Sequence, residues 1–428
     1  MANEDALEPV SLIRQSGVVL RVGKLLIGAG AGGYRVKIAM RQVARALGLD
    51  NVEAQVSVTE IVATCHRGPI FRTEVIQNNH ISVNADRIIL IERYVAMLRS
   101  GTSVAEIDRF LDETERKPVL YGLWVNALFS AIACVAFAFL NNGGLVEMSA
   151  VFFGAGLGQL VRRLMLHRGA NHLGVTMLSA AISSIVYLGI VNLLFTLNVV
   201  DSVHEAGYVS AVLFLVPGFP LITAALDFSR LDFSAGLSRL SYALLLLMSA
   251  ALSLWAVSAV MGLTPVPADP LNIPTTLGLT LRFVASAAGV WGFAMLFNSP
   301  LKVAIAAAGI GMLANTMRLE LIDLGMLPQG AAAFAGLAVG ILANVVAPRM
   351  GVPRLTLCVP AAVIMVPGTA AYRAIYYLND GQTVEALAYG VEATLIVIAL
   401  AIGLTVARGL TDPVRFLQVQ SEKANKKI

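Results

Sequence analysis

The sequence predicts a mainly α, polytopic helical membrane protein: about ten spans in two inverted five-span repeats, preceded by a small cytoplasmic α+β domain. Three observations predict it. The chain of 428 residues is 57% hydrophobic and only 14% charged, with a mean hydropathy of +0.75, whereas soluble chains average roughly 25% charged residues. Nearly half of its Lys and Arg residues precede Tyr121, which marks a boundary near Lys117. The phrase Val-Pro-Gly occurs at 216–218 and again at 366–368, each time near the middle of an apolar run long enough to cross a bilayer.

The N-terminal domain spans 1–117. Its first residues, MANEDALEP, are acidic and polar, unlike a cleavable signal peptide, so the domain is expected to stay in the cytoplasm. Leu12 to Ile27 reads as an amphipathic helix with Ser11 as N-cap and Arg14, Arg21 and Lys24 on its polar face. A second helix runs from Tyr34 to Leu47, ended by Gly48. Val52 to Val58 and Pro69 to Ile76 suit strands. Asp86 to Leu98 and Val104 to Glu115 suit helices, the second capped by Ser103 with Glu106 three residues on. Gly28, Gly30 and Gly33 match the spacing of a dinucleotide fingerprint, but that motif needs a preceding strand, and the preceding run fits a helix. A tight helix-to-helix turn is the simpler account. Cys65, Cys134 and Cys358 lack paired spacing, which argues against a disulfide framework or a metal site. No catalytic constellation or phosphate-binding motif for ATP is present, and the formal net charge of +4 suits cytoplasmic loops better than nucleic acid. No cofactor is expected.

The membrane part is expected to hold spans at 119–140, 145–162, 173–196, 207–227 and 238–261, then 276–297, 301–317, 329–347, 355–378 and 384–407. The first repeat occupies 118–262 and the second 275–408, with a basic tail over 409–428. With the N-terminus inside, the inner loops and tail collect Arg162, Arg163, Arg168, Arg230, Arg239, Lys302, Arg349, Arg354, Arg408, Arg415, Lys423, Lys426 and Lys427. The outer loops carry only Arg318. That asymmetry follows the positive-inside rule, and one span more or fewer would scramble it.

The two Val-Pro-Gly phrases lie 150 residues apart. Gly156-Leu157-Gly158 and Gly309-Ile310-Gly311 lie 153 apart, and Asn192 and Asn344 lie 152 apart. Such spacing implies duplication, and five spans per copy would invert the second. Proline removes an amide donor and clashes with the preceding turn, and glycine loosens the chain beside it. Breaks at Pro217-Gly218 and Pro367-Gly368 would therefore meet near mid-depth, and paired broken helices point to a transporter's substrate site. Asn192, Asn344 and Arg373 are candidate substrate-binding residues with them. Glu392, Arg282 and Asp227 are candidates for proton coupling or gating, because charges in a membrane are costly. The plain alternatives are an ion pair between Arg282 and Glu392, and a solvated inner loop from Asp227 through Arg230 and Asp232 to Arg239. Asn126, Gln159 and Asn315 either line a path or join helices.

Several stretches resemble the threonine/serine exporter family: AGAGGYRVKIAMRQVARALGLD, VSVTEIVATC and VNADRIILIERYVAMLRSG in the first domain, then LVPGFPLITAALDFSRLDFSAGLSRL and PRLTLCVPAAVIMVPG. The resemblance covers nearly the whole chain. It implies an inner-membrane carrier, whose termini the charge asymmetry places in the cytoplasm, that exports small hydroxy amino acids, with relatives that split the two parts and resemble dicarboxylate exporters. Together with the breaks, it makes the expected function secondary export of threonine or serine by proton exchange. The expected partners are a small substrate, protons and lipid, with a homo-oligomer left open. Three other readings stay open: an exporter of dicarboxylates, a passive channel regulated by the soluble domain, and a membrane-anchored enzyme or sensor acting through 1–117.

Overall fold

The computed structural model describes residues 10–199, 206–263, 265 and 270–411. The acidic N-terminal stretch and the tail residues Arg415, Lys423, Lys426 and Lys427 lie outside the described residues.

Helix α1 (Val10–Gly28) is the axis of the N-terminal domain. From Val18 onward it is buried nearly all round, through Val18, Leu20, Val22 and Leu26, and Leu12 is buried in its first turn. Each such side chain is worth about 1.5–3 kcal/mol on burial. Helix α2 (Gly33–Ala46) folds back along α1, and its apolar stripe, Val36, Met40 and Val43, is buried there. The sheet order is β1 (Asn51–Val56), β2 (Glu60–Arg67) and β3 (Ile70–Gln77), all antiparallel. β2 is not among the strands expected from the sequence. Its turn from β1 is made by Val58 and Thr59, closed by Ser57 N–H donating to Glu60 O at 2.9 Å, without the Asn-Gly or Gly pair that announces a hairpin. Helices α3 (Ala85–Met97) and α4 (Val104–Arg116) complete the domain. As expected, Ser103 Oγ accepts from Glu106 N–H at 3.2 Å. Ser11 is no N-cap, because α1 already includes Val10; its hydroxyl accepts from Arg67 instead. Part of the charged edge of α1 meets α4: Arg21 pairs with Asp108, Asp112 and Glu115 at 3.1, 2.5 and 3.0 Å.

The membrane part runs α5 (Leu123–Leu140), α6 (Leu145–His167), α7 (His172–Thr196), a tight 3-10 segment (Ser210–Leu215), α8 (Gly218–Phe228) and α9 (Phe233–Met261). It continues with α10 (Thr275–Leu296), α11 (Leu301–Asp323), α12 (Pro328–Met350), α13 (Leu355–Val363), α14 (Gly368–Asn379) and α15 (Thr383–Thr411). Among the described residues, eight helices are long and apolar enough to cross a membrane. The pair α13 and α14, bent by 52°, makes a ninth if it counts as one span, and α8 is a shorter apolar helix. These helices expose apolar side chains outward, such as Phe153, Leu244, Ile305 and Ile402, as a protein solvated by lipid does. The protein is an integral membrane protein.

The element order is the same in both halves: three long helices, an interrupted apolar segment, and a closing helix of 29 residues. The packing is parallel too. α5 lies on α6, α6 on α7, α7 on α9 and α8 on α9, while α10 lies on α11, α11 on α12, α12 on α15 and α14 on α15. α5 packs on α10 and joins the halves. Small residues permit the closest approaches: a Cβ on Gly403 would stand 2.2 Å from Ala333 O across the α12–α15 seam.

The N-terminal domain is seated on the helices, not tethered beside them. Ala85 N–H donates to Phe297 O at 2.9 Å. Asn298 clamps two segments at once, donating to Asn84 Oδ1 and accepting from Leu120 N–H, both at 2.8 Å. Tyr121 O–H donates to Ser299 O at 2.7 Å.

Candidate functional site

The two breaks have one geometry. Pro217 sits at φ −78°, ψ 56° and Pro367 at φ −79°, ψ 64°, the values of an inverse γ-turn. The turn bond is present in both: Gly218 N–H donates to Val216 O, and Gly368 N–H to Val366 O, each at 2.8 Å. The helix then restarts with a 3.0 Å bond to each proline carbonyl, from Leu221 N–H and Ala371 N–H. The proline supplies φ and the missing donor, so the local sequence alone accounts for the turn.

The breaks are also packed on each other reciprocally. A Cβ on Gly218 would meet Val363 at 3.0 Å, five residues before Gly368. A Cβ on Gly368 would meet Leu213 at 2.9 Å, five residues before Gly218. Each glycine therefore admits the chain that precedes the other break. On one side of the crossing, Tyr208, Tyr372 and Tyr376 are buried together; the Tyr208 and Tyr372 hydroxyls lie 3.4 Å apart, and Tyr376 O–H donates to Leu263 O at 3.1 Å.

On the other side, a cavity of about 290 Å³ reaches from the first break to Gly30, Ser82 and Asn84 of the N-terminal domain. Polar groups line it deep among apolar helices. Gln159 donates to Asn126 Oδ1 at 2.7 Å, while its own Oε1, buried, has no hydrogen-bond partner. Arg162 follows one turn later on α6, and His172 Nδ1 and Tyr242 O–H lie 2.8 Å apart. The second half carries a related arrangement: Asn315 donates to Ser286 at 2.9 Å and accepts from Arg318 at 3.0 Å. A buried acceptor left open costs about 1–3 kcal/mol unless something fills it. A small molecule with N–H or O–H donors suits Gln159 Oε1, and a carboxylate suits Arg162 or the amide end of α8.

The candidate residues separate into those at the crossing and those away from it. Pro217, Gly218, Pro367 and Gly368 form it. Asn192 is exposed on α7 and takes no part. Asn344 is half-buried and lines a different cavity, between α8 and α13. Arg373 donates to Pro265 O at 2.9 Å, a structural tie. Glu392 is half-buried on α15. The ion pair between Arg282 and Glu392 does not form: Arg282 pairs with Glu320 and Asp323, at 2.7 and 2.5 Å. α11 continues to Asp323, past the expected span end at 317, and brings both acids beside α10.

The solvated loop at Asp227 is overturned as well. Asp227 and Arg239 are only 2% and 4% exposed. Asp227 Oδ2 accepts from Gly33 N–H at 3.1 Å and lies 3.6 Å from Arg239 Nε. Arg239 donates to Gly30 O at 3.1 Å and Ala31 O at 2.7 Å. The glycine cluster is thus a turn between α1 and α2 that a buried ion pair grips. Gly30 has φ +92°, and a Cβ on Gly33 would stand 2.4 Å from Ala235 Cβ. The clustered glycines signalled the close approach; their partner, nearly 200 residues on, could not be read from local pattern.

The chain matches known proteins over both halves. A family model described as "Putative threonine/serine exporter" matches residues 17–261, and one described as "Threonine/Serine exporter, ThrE" matches 282–409. The "Threonine/serine exporter" of Corynebacterium glutamicum is 24% identical, covering 96% of this chain and 87% of its own. The "Probable threonine/serine exporter" of Mycobacterium tuberculosis is 24% identical over 93% of this chain and 77% of its own. The "Probable succinate transporter subunit YjjP" of Klebsiella aerogenes is 28% identical over 52% of this chain and 84% of its own. No solved structure matches the chain. With a family model covering more than half of its length and the relatives spanning both halves, the chain belongs to the threonine/serine exporter family.

Proposed function

We propose that the protein is a secondary transporter that exports small hydroxy amino acids, threonine or serine, from the cytoplasm across the inner membrane. The observation that carries this is the reciprocal packing of the two Val-Pro-Gly breaks beside a polar cavity. In this reading the interrupted segments are spans four and nine, the two halves are inverted repeats, and both termini are cytoplasmic. The cavity then opens inward, and Tyr208, Tyr372 and Tyr376 close the outer side. The substrate ammonium and hydroxyl face Gln159 Oε1, and its carboxylate faces the start of α8 and Arg162. Rocking one half against the other, with the breaks as the contact, exposes the site alternately. Proton exchange drives export, with Glu392, half-buried on α15, as the carrier.

Proteoliposomes containing the purified protein and labelled threonine test this. Saturable efflux that accelerates with an imposed pH gradient is expected. Flux that rises linearly with threonine means a channel, and equal flux with and without the gradient removes proton coupling. The succinate transporter named among the relatives favours a second reading, export of a small dicarboxylate, with Arg162 and Arg163 holding the carboxylates. Competition decides between them: succinate that blocks threonine efflux at comparable concentration supports the second.

A further inference from the structure

A second cavity, of about 520 Å³, lies where α2 of the N-terminal domain meets the ends of α8, α12, α13 and α15. Four arginines line it: Arg35, Arg230, Arg354 and Arg408. Two are accounted for. Arg35 donates to Glu92 at 3.0 Å, and Arg354 donates to Leu404 O at 3.1 Å. Among the described residues the one carboxylate on the wall, Asp227, is engaged by Gly33 and Arg239. Arg230 and Arg408 have no carboxylate within ion-pair distance among the described residues. Both instead lie over the ring of Tyr34, with Cζ 4.1 and 5.5 Å from its centroid. Burial, and then the charges of Arg408 and Arg35, push the Arg230 guanidinium down to about 10.

Two like charges held on one aromatic ring, in a partly desolvated cavity, repel each other. The ring face repays each by only about 0.5–2 kcal/mol. An anionic phosphate group, with two charges in a monoester and one in a lipid phosphodiester, offsets that repulsion, and the planar guanidinium fork matches its oxygens. We propose that this cavity binds a phosphate group, held by Arg230 and Arg408 across Tyr34. The group belongs either to a free phosphate compound or to a lipid headgroup. Because Tyr34 and Arg35 come from the N-terminal domain and the other two from the membrane helices, the site is complete only while the domain is seated. A bound phosphate therefore stabilises the seated state. The cytoplasmic position of this cavity rests on the topology proposed above; binding at it does not.

Full-length protein in a neutral detergent is titrated calorimetrically with inorganic phosphate, with the thermal midpoint followed alongside. Saturable binding and a raised midpoint are expected. Loss of one charge-assisted contact in Arg230→Gln or Arg408→Gln weakens binding by about tenfold or more, and Arg408→Lys restores part of it. The titration is repeated in nanodiscs of phosphatidylcholine and of phosphatidylglycerol. Phosphate binding in both membranes makes a free phosphate compound the ligand; binding lost only in phosphatidylglycerol makes the headgroup the occupant. Absence of heat in wild-type protein under all three conditions, or equal binding in both glutamine variants, overturns the proposal. Threonine exchange, measured without phosphate, separates the readings: exchange without phosphate binding sinks only this site.

Discussion

At Gly33 one added methyl group has a predictable effect. Its Cβ would stand 2.4 Å from Ala235 Cβ and 3.2 Å from the Asp232 carboxylate, and neither neighbour is the flexible end of a long side chain. Gly33→Ala is expected to lift α2 off α9 and cost about 1–3 kcal/mol, read as a lower thermal midpoint of the purified protein. An unchanged midpoint would mean that the seat is soft. Asp227→Asn tests the same seat electrostatically. It strands Arg239 at 4% exposure, and losing one partner of a buried pair costs about 3–5 kcal/mol. Proteolysis between α4 and α5 should then speed up sharply, while Asp227→Asn with Arg239→Met should recover part of the protection. A pH effect belongs to the α1–α4 clamp. The hydrogen bond from Arg21 holds the Asp112 carboxyl below its ordinary value. A depressed carboxylate stabilises the fold above its unfolded pKa and loses that contribution as pH falls through the folded one. Stability of the N-terminal domain should therefore decline below the ordinary carboxylate range in wild-type protein, and less steeply in Arg21→Gln.

Elements show what was legible in the sequence and what was not. The breaks were legible because proline and glycine act on their own backbone, and both turns have nearly the same dihedral angles. The long apolar helices were legible from composition. The strand β2 was not, because its turn lacks a turn residue and the run from Glu60 to Arg67 mixes charged, apolar and small residues. Gln159 and Asn126 were visible as polar residues among apolar ones, but the open Oε1 depends on which helix faces which. Asp227 with Arg239, and Arg282 with Glu320, depend on contacts outside any sequence window. The prediction at this scale concerns the crossing. Gly368→Leu would drive its side chain into Leu213 and Val216, and Gly218→Leu into Val363. Both are expected to abolish threonine exchange while insertion and yield persist. Pro217→Leu and Pro367→Leu, which let the segments continue as helices, are expected to do the same. Wild-type exchange in all four would remove the crossing from the mechanism.

At the scale of the whole molecule, the matching element order makes the number of crossings the decisive quantity. If the interrupted segment ending in α8 traverses the bilayer, the turn after α14 follows nine crossings and lies on the same face as the turn after α5. If that segment is re-entrant, the two turns lie on opposite faces. The native cysteines, Cys65, Cys134 and Cys358, are all buried, and burial pushes the Cys65 thiol up to about 11, where little reactive thiolate forms at neutral pH. They leave a quiet background for labelling. Single cysteines at Asn141, Arg168, Gly351 and Asp380, each in a turn between helices, report sidedness through a membrane-impermeant maleimide applied to intact cells. Labelling of Asn141→Cys and Asp380→Cys from outside, with Arg168→Cys and Gly351→Cys protected until the membrane is opened, is the pattern of ten crossings and two inverted halves. Protection of Asp380→Cys alongside labelled Asn141→Cys would place α8 on one side only. The first break would then lie in a re-entrant segment while α13 and α14 still cross, the halves would not be inverted copies of each other, and alternating access by rocking one half on the other would lose its geometry.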